Sequence, residues 1–168
     1  MTGLERLWAG WRSDYVGDAA AGDDDGCVLC RILHSDEPAE STYIVWRDRH
    51  CAAVLNLYPY TSGHLMVMPV RHLAEMEELG DEEAVQLWRT VAAGVRALKA
   101  AYSPDGLNVG ANLGRSAGAG VPGHFHMHCV PRWNGDTNFM TTLAETRVLP
   151  EALPTTFEKL RKAWPADG

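Results

Sequence analysis

Apolar positions alternate or cluster in short runs before residue 70 and recur at three- and four-residue steps after residue 80, a pattern that predicts strands first and a long helix next. Tyr43-Ile44-Val45-Trp46 and Cys51-Ala52-Ala53-Val54-Leu55-Asn56 flank the polar stretch Arg47-Asp48-Arg49-His50 and predict two strands joined by a tight turn. After Tyr58-Pro59-Tyr60-Thr61-Ser62-Gly63, the run from His64 to Met68 predicts a third strand, ended by Pro69. Residues 81–102 predict the longest helix, with Val85, Trp88, Val91, Ala92, Val95 and Leu98 on its core face. Asp81 is the expected N-cap, and Glu82 and Glu83 suit the first turn. Leu107 to Asn112 predicts a fourth strand and Gly123 to Val130 a fifth, stopped by Pro131. A last helix is expected from Thr155, with Glu158 completing a capping box, to about Trp164. This order predicts an α+β fold: about five mainly antiparallel strands, one long helix and a C-terminal helix.

A length of 168 residues suits one domain spanning 1–168, large enough to bury a core without disulfides. Within it, residues 1–16 read as an aromatic arm carrying Leu7, Trp8, Trp11, Tyr15 and Val16, and residues 17–26 as a small, acidic link. Glu5, Arg6, Arg12 and Asp14 interrupt the start of the chain, which therefore lacks the apolar core of a secretory signal; a cytoplasmic protein is expected. No apolar run approaches the length that spans a bilayer, so no membrane partner is expected. The formal net charge of −7 argues against a nucleic-acid partner, which needs a basic stripe, but leaves room for a small anion held by local groups.

Four cysteines are too few for a disulfide scaffold. Cys27-Val28-Leu29-Cys30 has the spacing of a metal knuckle or a redox pair; the absence of a thioredoxin-like βαβ pattern weighs against the latter. Cys51 and Cys129 lie in apolar segments and are expected as buried, inert thiols.

Polar and apolar residues alternate strictly in His124-Phe125-His126-Met127-His128-Cys129, so an extended segment places three imidazoles on one face, about 6.5–7 Å apart, with Phe125, Met127 and Cys129 on the other. One imidazole can then attack a substrate while its neighbours bind or orient it. Partly exposed histidines without function, or an H-x-H metal site, give the same pattern. The glycine-rich connection from Asn112 to Gly123 tilts the balance toward phosphate chemistry, because its backbone N–H groups can approach a polyphosphate closely.

The segment His124-Phe125-His126-Met127-His128-Cys129-Val130 resembles the signature of the histidine-triad (HIT) family, three histidines alternating with apolar residues. The likeness extends through Cys27 and Cys30, Val54 to Leu57, Gly63 to Pro69, His72 and Asn112 to Gly118. Pro131 to Met140, with Leu7-Trp8, looks closest to bacterial members of the diadenosine tetraphosphate phosphorylase or hydrolase kind. The resemblance implies a nucleotide substrate, attack by His126 on the α-phosphorus with a covalent nucleotidyl-histidine intermediate, support from His124 and His128, and charge stabilisation by Asn112 and the backbone around Gly118. It also implies that Asn56 contacts the ribose and Leu57 lines the base pocket, although by itself Asn56 is equally a turn former. A structural hydrogen bond is expected at His64. Ala119 departs from the family pattern, which often has glutamine there, and Arg115, Ser116 and Arg132 are candidate replacements.

For Cys27 and Cys30 the resemblance nominates His72 and His124 as completing a structural zinc site, with His50 as an alternative to His72; no organic cofactor is expected. It further implies a homodimer in which two five-stranded sheets join. Phosphoramidate hydrolysis, non-catalytic nucleotide binding, and a metal enzyme using all three histidines remain alternatives to cleavage of a dinucleoside polyphosphate.

Overall fold

The computed structural model describes residues 26–136 and 151–166. The expected aromatic arm, and all of the acidic link except Gly26, lie outside the described residues. In chain order the elements are α1 (Val28–Leu33), α2 (Ala39–Thr42), β1 (Ile44–Arg47), β2 (Cys51–Leu55), β3 (Leu65–Pro69), α3 (Asp81–Tyr102), β4 (Gly106–Ala111), β5 (Met127–Arg132) and α4 (Leu153–Ala163). Short 3-10 turns occupy Met76–Glu78 and Arg115–Ala117. The five strands form one sheet in the order β1-β2-β3-β5-β4, with every neighbouring pair antiparallel. The predicted α+β architecture is therefore the observed one.

Burial on both faces explains why β2 and β3 read as nearly continuous apolar runs. Cys51, Ala53, Leu55, Leu65 and Val67 pack with Leu87, Val91 and Leu98 of α3 and Phe157 and Leu160 of α4. The alternate residues Ala52, Val54, Met66 and Met68 pack with Cys27, Leu29, Cys30 and Leu33 at α1. That second layer was not foreseen, because α1 has only six residues and too little length to establish a helical period.

The core face of α3 differs from the predicted one. Leu87, Thr90, Val91, Ala93, Gly94, Ala97 and Leu98 are buried and Val95 is half-buried, whereas Val85, Trp88 and Ala92 are exposed. Small residues set the true face, since they let the helix approach the sheet: a Cβ on Gly94 would lie 2.8 Å from a Leu65 methyl. Helix α3 packs over β2, β3 and β5, with α4 beside it on the β1 side. Gly94 faces the sheet at Leu65, with Trp164 beside it, whereas Val85, Trp88 and Ala92 lie toward the exposed side of the helix.

Several boundaries also shift. The N-cap of α3 is Gly80, not Asp81, and Glu83 accepts the Gly80 N–H at 3.0 Å. Helix α4 starts two residues before Thr155, at Leu153, with Ala152 as N-cap; the expected Thr155–Glu158 box is absent because Pro154 already sits in the first turn. Strand β3 begins at Leu65 rather than His64, and β5 begins at Met127 rather than Gly123. Pro131 does not stop β5. Its carbonyl accepts the Thr61 hydroxyl at 2.8 Å on the β3 side, beyond the last β3 pairing at Cys129, so its missing N–H removes no ladder bond.

Candidate active site

The three triad histidines share one face, as their alternation requires, although only His128 lies within β5. Phe125, Met127 and Cys129 turn to the α3 core, and Met66 of β3 and Gly110 of β4 flank His128. A Cβ on Gly110 would meet nothing within 4 Å, leaving open space beside His128.

Hydrogen-bond partners assign the proton on each ring. Nδ1 of His126 lies 2.8 Å from the His124 carbonyl, which can only accept, so Nδ1 carries the hydrogen and Nε2 keeps a lone pair. Burial pushes the His126 pKa below its ordinary value, opposed by the bond to that carbonyl, and so favours the neutral ring. The His126 and His128 ring centroids are 4.9 Å apart.

His64 supplies a connection that sequence reasoning left without a partner. Its Nδ1 faces two donors, the Tyr60 N–H at 3.1 Å and the Asn56 amide at 3.3 Å, so Nδ1 accepts and Nε2 carries the proton. That Nε2–H donates to Nδ1 of His128 at 2.9 Å. In the neutral ring, the His128 proton is thereby placed on Nε2. Asn56 also accepts the Tyr58 N–H at 2.9 Å, so its turn-forming part is real, and Leu57 beside it is 47% exposed.

The connection after β4 brings Asn112 and Gly118 together: the Asn112 amide donates to the Gly118 carbonyl at 3.3 Å. The N–H groups of Gly118 and Ala119 are engaged inside the loop, with Arg115 and Gly114 carbonyls. Gly118 has φ +89°, a conformation that its lack of a Cβ permits. Arg115 and Ser116 are exposed, and Ala119 is buried. Arg132 is clamped by Asp136 at 2.6 and 2.8 Å and by Asn108 at 2.9 Å, which accounts structurally for that candidate phosphate contact.

At the other end of the triad, one ligand atom each from Cys27, Cys30, His72 and His124 lie within 4.8 Å of one another. The donor set fits a metal on chemical grounds. Nε2 of His124 faces the Pro69 carbonyl at 2.9 Å, so it carries the proton and Nδ1 is the unprotonated nitrogen turned toward the sulfurs. Nδ1 of His124 is 3.6 Å from Sγ of Cys27 and 3.3 Å from Sγ of Cys30, and Nδ1 of His72 is 3.2 Å from Sγ of Cys30. A tetrahedral zinc with ordinary bond lengths gives S···N edges of about 3.5 Å. His50 lies instead beside Arg49 and Glu82, and among the described residues it is outside this cluster. Cys51 and Cys129 are buried away from it, and burial pushes both thiols up to about 12, assisted at Cys51 by Asp48 and Glu83.

This sheet and triad define a histidine-triad protein. The HIT domain model matches residues 37–135, and the chain belongs to that family. It is 39% identical over 165 residues to the AP-4-A phosphorylase of Mycobacterium tuberculosis (strain ATCC 25618 / H37Rv), covering 96% of this chain and 85% of that protein. Protein hit of Bacillus subtilis (strain 168) is 35% identical over 115 residues, 68% of this chain and 77% of the relative. Among solved structures, a zinc-bound histidine triad family protein from Mycobacterium smegmatis aligns with a TM-score of 0.67 at 29% identity, covering 84% of this chain and 94% of that one. Among the described residues, no helix is long and apolar enough to cross a membrane.

Proposed function

We propose that this protein is a dinucleoside polyphosphate phosphorylase that transfers a nucleotidyl group through His126. The observation that carries the reading is the His126–His124 carbonyl bond, which leaves a buried, neutral imidazole with its Nε2 lone pair available near pH 7. That lone pair attacks the α-phosphorus; a P–N bond forms as the bond to the departing polyphosphate oxygen breaks. Inorganic phosphate then attacks the same phosphorus, the P–N bond breaks, and the electron pair returns to Nε2. With diadenosine tetraphosphate the products are ATP from the first step and ADP from the second. Phosphate is favoured over water as acceptor by the relationship to the AP-4-A phosphorylase.

His128 would donate its Nε2–H to a phosphate oxygen, and the amide of Asn112, set by Gly118, would stabilise the charge that builds there. Asn56 and Leu57 would hold the ribose and base of the transferred nucleotide. Cys27, Cys30, His72 and His124 would hold a structural zinc, which supplies four-coordinate cross-linking rather than an open catalytic position. The chain's own contribution is the His124 carbonyl that orients His126. A homodimer is proposed as the working assembly, supported by the uncharged strand β4, which pairs with a strand on its β5 side only among the described residues.

The test is incubation with diadenosine tetraphosphate, with and without inorganic phosphate, for wild type and His126→Ala. Phosphate-dependent ADP that disappears in the variant supports the reading. AMP and ATP formed without phosphate indicate a hydrolase, and turnover of adenosine phosphoramidate alone redirects the assignment to that substrate. Nucleotide binding with no labelled histidine after a denaturing quench would leave only a binding role.

A further inference from the structure

Tyr58 and Tyr60, held out of the core by the β2–β3 loop, are 68% and 37% exposed and belong to neither core cluster. The loop itself is closed from within. Asn56 accepts the Tyr58 N–H, His64 Nδ1 accepts the Tyr60 N–H, the His64 N–H reaches the Thr61 carbonyl at 3.2 Å, and the Thr61 hydroxyl reaches Pro131. Tyr60 is thus an exposed aromatic on a preorganised support, and little ordering is left to oppose its use in binding.

Its position gives that exposure a direction. The Tyr60 ring centroid is 4.5 Å from His64 and 6.0 Å from His128. Along the site, the cysteine–histidine cluster adjoins His124, His126 and His128 follow, and Tyr60 borders His128 at the far end. Open space at Gly110, paired with His128 across β4 and β5, gives a polyphosphate room to pass that imidazole. A dinucleoside substrate carries two bases, and the site just described uses one.

Resting on the nucleotidyl-transfer reading, we propose that Tyr60 is a specificity-determining residue: a stacking platform for the nucleobase of the departing nucleotide, selecting substrates whose leaving group ends in a second nucleoside. Every base has a π-face, so such a platform recognises a second nucleoside without strong preference among bases. The β2–β3 loop thereby discriminates leaving groups, while Asn56 and Leu57 at its start take the nucleotide that is transferred.

The experiment compares kcat/KM for diadenosine tetraphosphate with kcat/KM for adenosine 5′-phosphoramidate, whose leaving group carries no base, in wild type, Tyr60→Leu, Tyr60→Phe and Tyr60→Trp. The ratio is expected to fall about 10- to 100-fold in Tyr60→Leu, the range of base–aromatic stacking, and to stay within about threefold in the Phe and Trp variants. An equal fall for both substrates would mean that the ring only supports His64 and would overturn the proposal, as would an unchanged ratio in Tyr60→Leu. If the wild type turns over neither substrate, the nucleotidyl-transfer reading fails separately, and binding decides for Tyr60. Dissociation constants are then measured for a methylene-bridged diadenosine tetraphosphate and for AMP. A loss of about tenfold or more in Tyr60→Leu for the dinucleotide alone supports the platform; equal losses or none overturn it.

Discussion

Nε2–H of His64 donates to Nδ1 of His128 across 2.9 Å, so a residue outside the triad decides which nitrogen of the neutral His128 ring carries its proton. Replacing His64 by Leu removes that assignment, and a reduction in kcat/KM of about 10- to 100-fold is expected, less than the roughly 100- to 1000-fold loss when a donor at a developing charge is removed outright. His64→Gln, whose amide can still donate toward His128, should recover part of the loss. Equal activity of the two variants would show that the imidazole serves packing alone. Steady-state rates with diadenosine tetraphosphate, together with circular dichroism to establish folding, make the comparison.

The cysteine–histidine cluster predicts metal content independently of turnover. About one zinc per chain is expected by native mass spectrometry, lost in Cys30→Ala and His72→Ala and retained in His126→Ala. Zinc would tie α1 to the loop after β3 and to the segment preceding β5, so its removal should lower the melting temperature as well. Loss of zinc from His126→Ala would contradict the division between a metal-bound His124 and a nucleophilic His126.

The triad's facing was legible because it depends only on alternation between neighbours, which survives even though β5 begins after His126. The sheet was legible for a different reason: β2 and β3, buried on both faces, declare themselves in nearly unbroken apolar runs. Periodicity failed on α3, where two adjacent flanks are both apolar and only close packing of Gly94 against Leu65 distinguishes the core side. The His64–His128 bond was not legible either, because its partners stand 64 residues apart and nothing local to either specifies the other.

Acid should weaken a specific brace near the metal cluster. Arg71, one residue before His72, contacts Glu83 at 2.8 and 2.9 Å and the Glu78 carbonyl at 2.7 Å. The Arg71 guanidinium bond holds the Glu83 carboxyl down to about 2 against an ordinary 4.5, with burial opposing and the Gly80 N–H adding to the depression. A depressed carboxyl stabilises the fold above its unfolded value and loses that contribution as pH falls from about 4.5 toward about 2. Glu83→Gln should therefore cost on the order of 1 kcal/mol at pH 7, and the gap from wild type should close across that acid window. Urea unfolding of both proteins as a function of pH measures it; a gap independent of pH would remove the ion pair as its cause.

The misassigned flank of α3 yields the last prediction. Val85 and Trp88 are 52% and 61% exposed, and Val109 of β4 is 41% exposed on the same side of the sheet. Among the described residues, strand β4 presents an edge, Gly106–Ala111, that contains neither proline nor charge, and so lacks two common defences against pairing with another strand. A second copy related by a twofold axis fits both features: its β4 would extend the sheet antiparallel, and its α3 would cover the apolar flank. The self-complementary contact is the kind a closed dimer requires. Trp88→Glu and Val109→Lys should each shift the protein from dimer to monomer in sedimentation velocity, with apparent affinity weakened at least about tenfold, a cost of about 1.4 kcal/mol. An unchanged dimer in both variants would place the interface elsewhere, while a wild-type monomer would leave the apolar flank without its proposed partner.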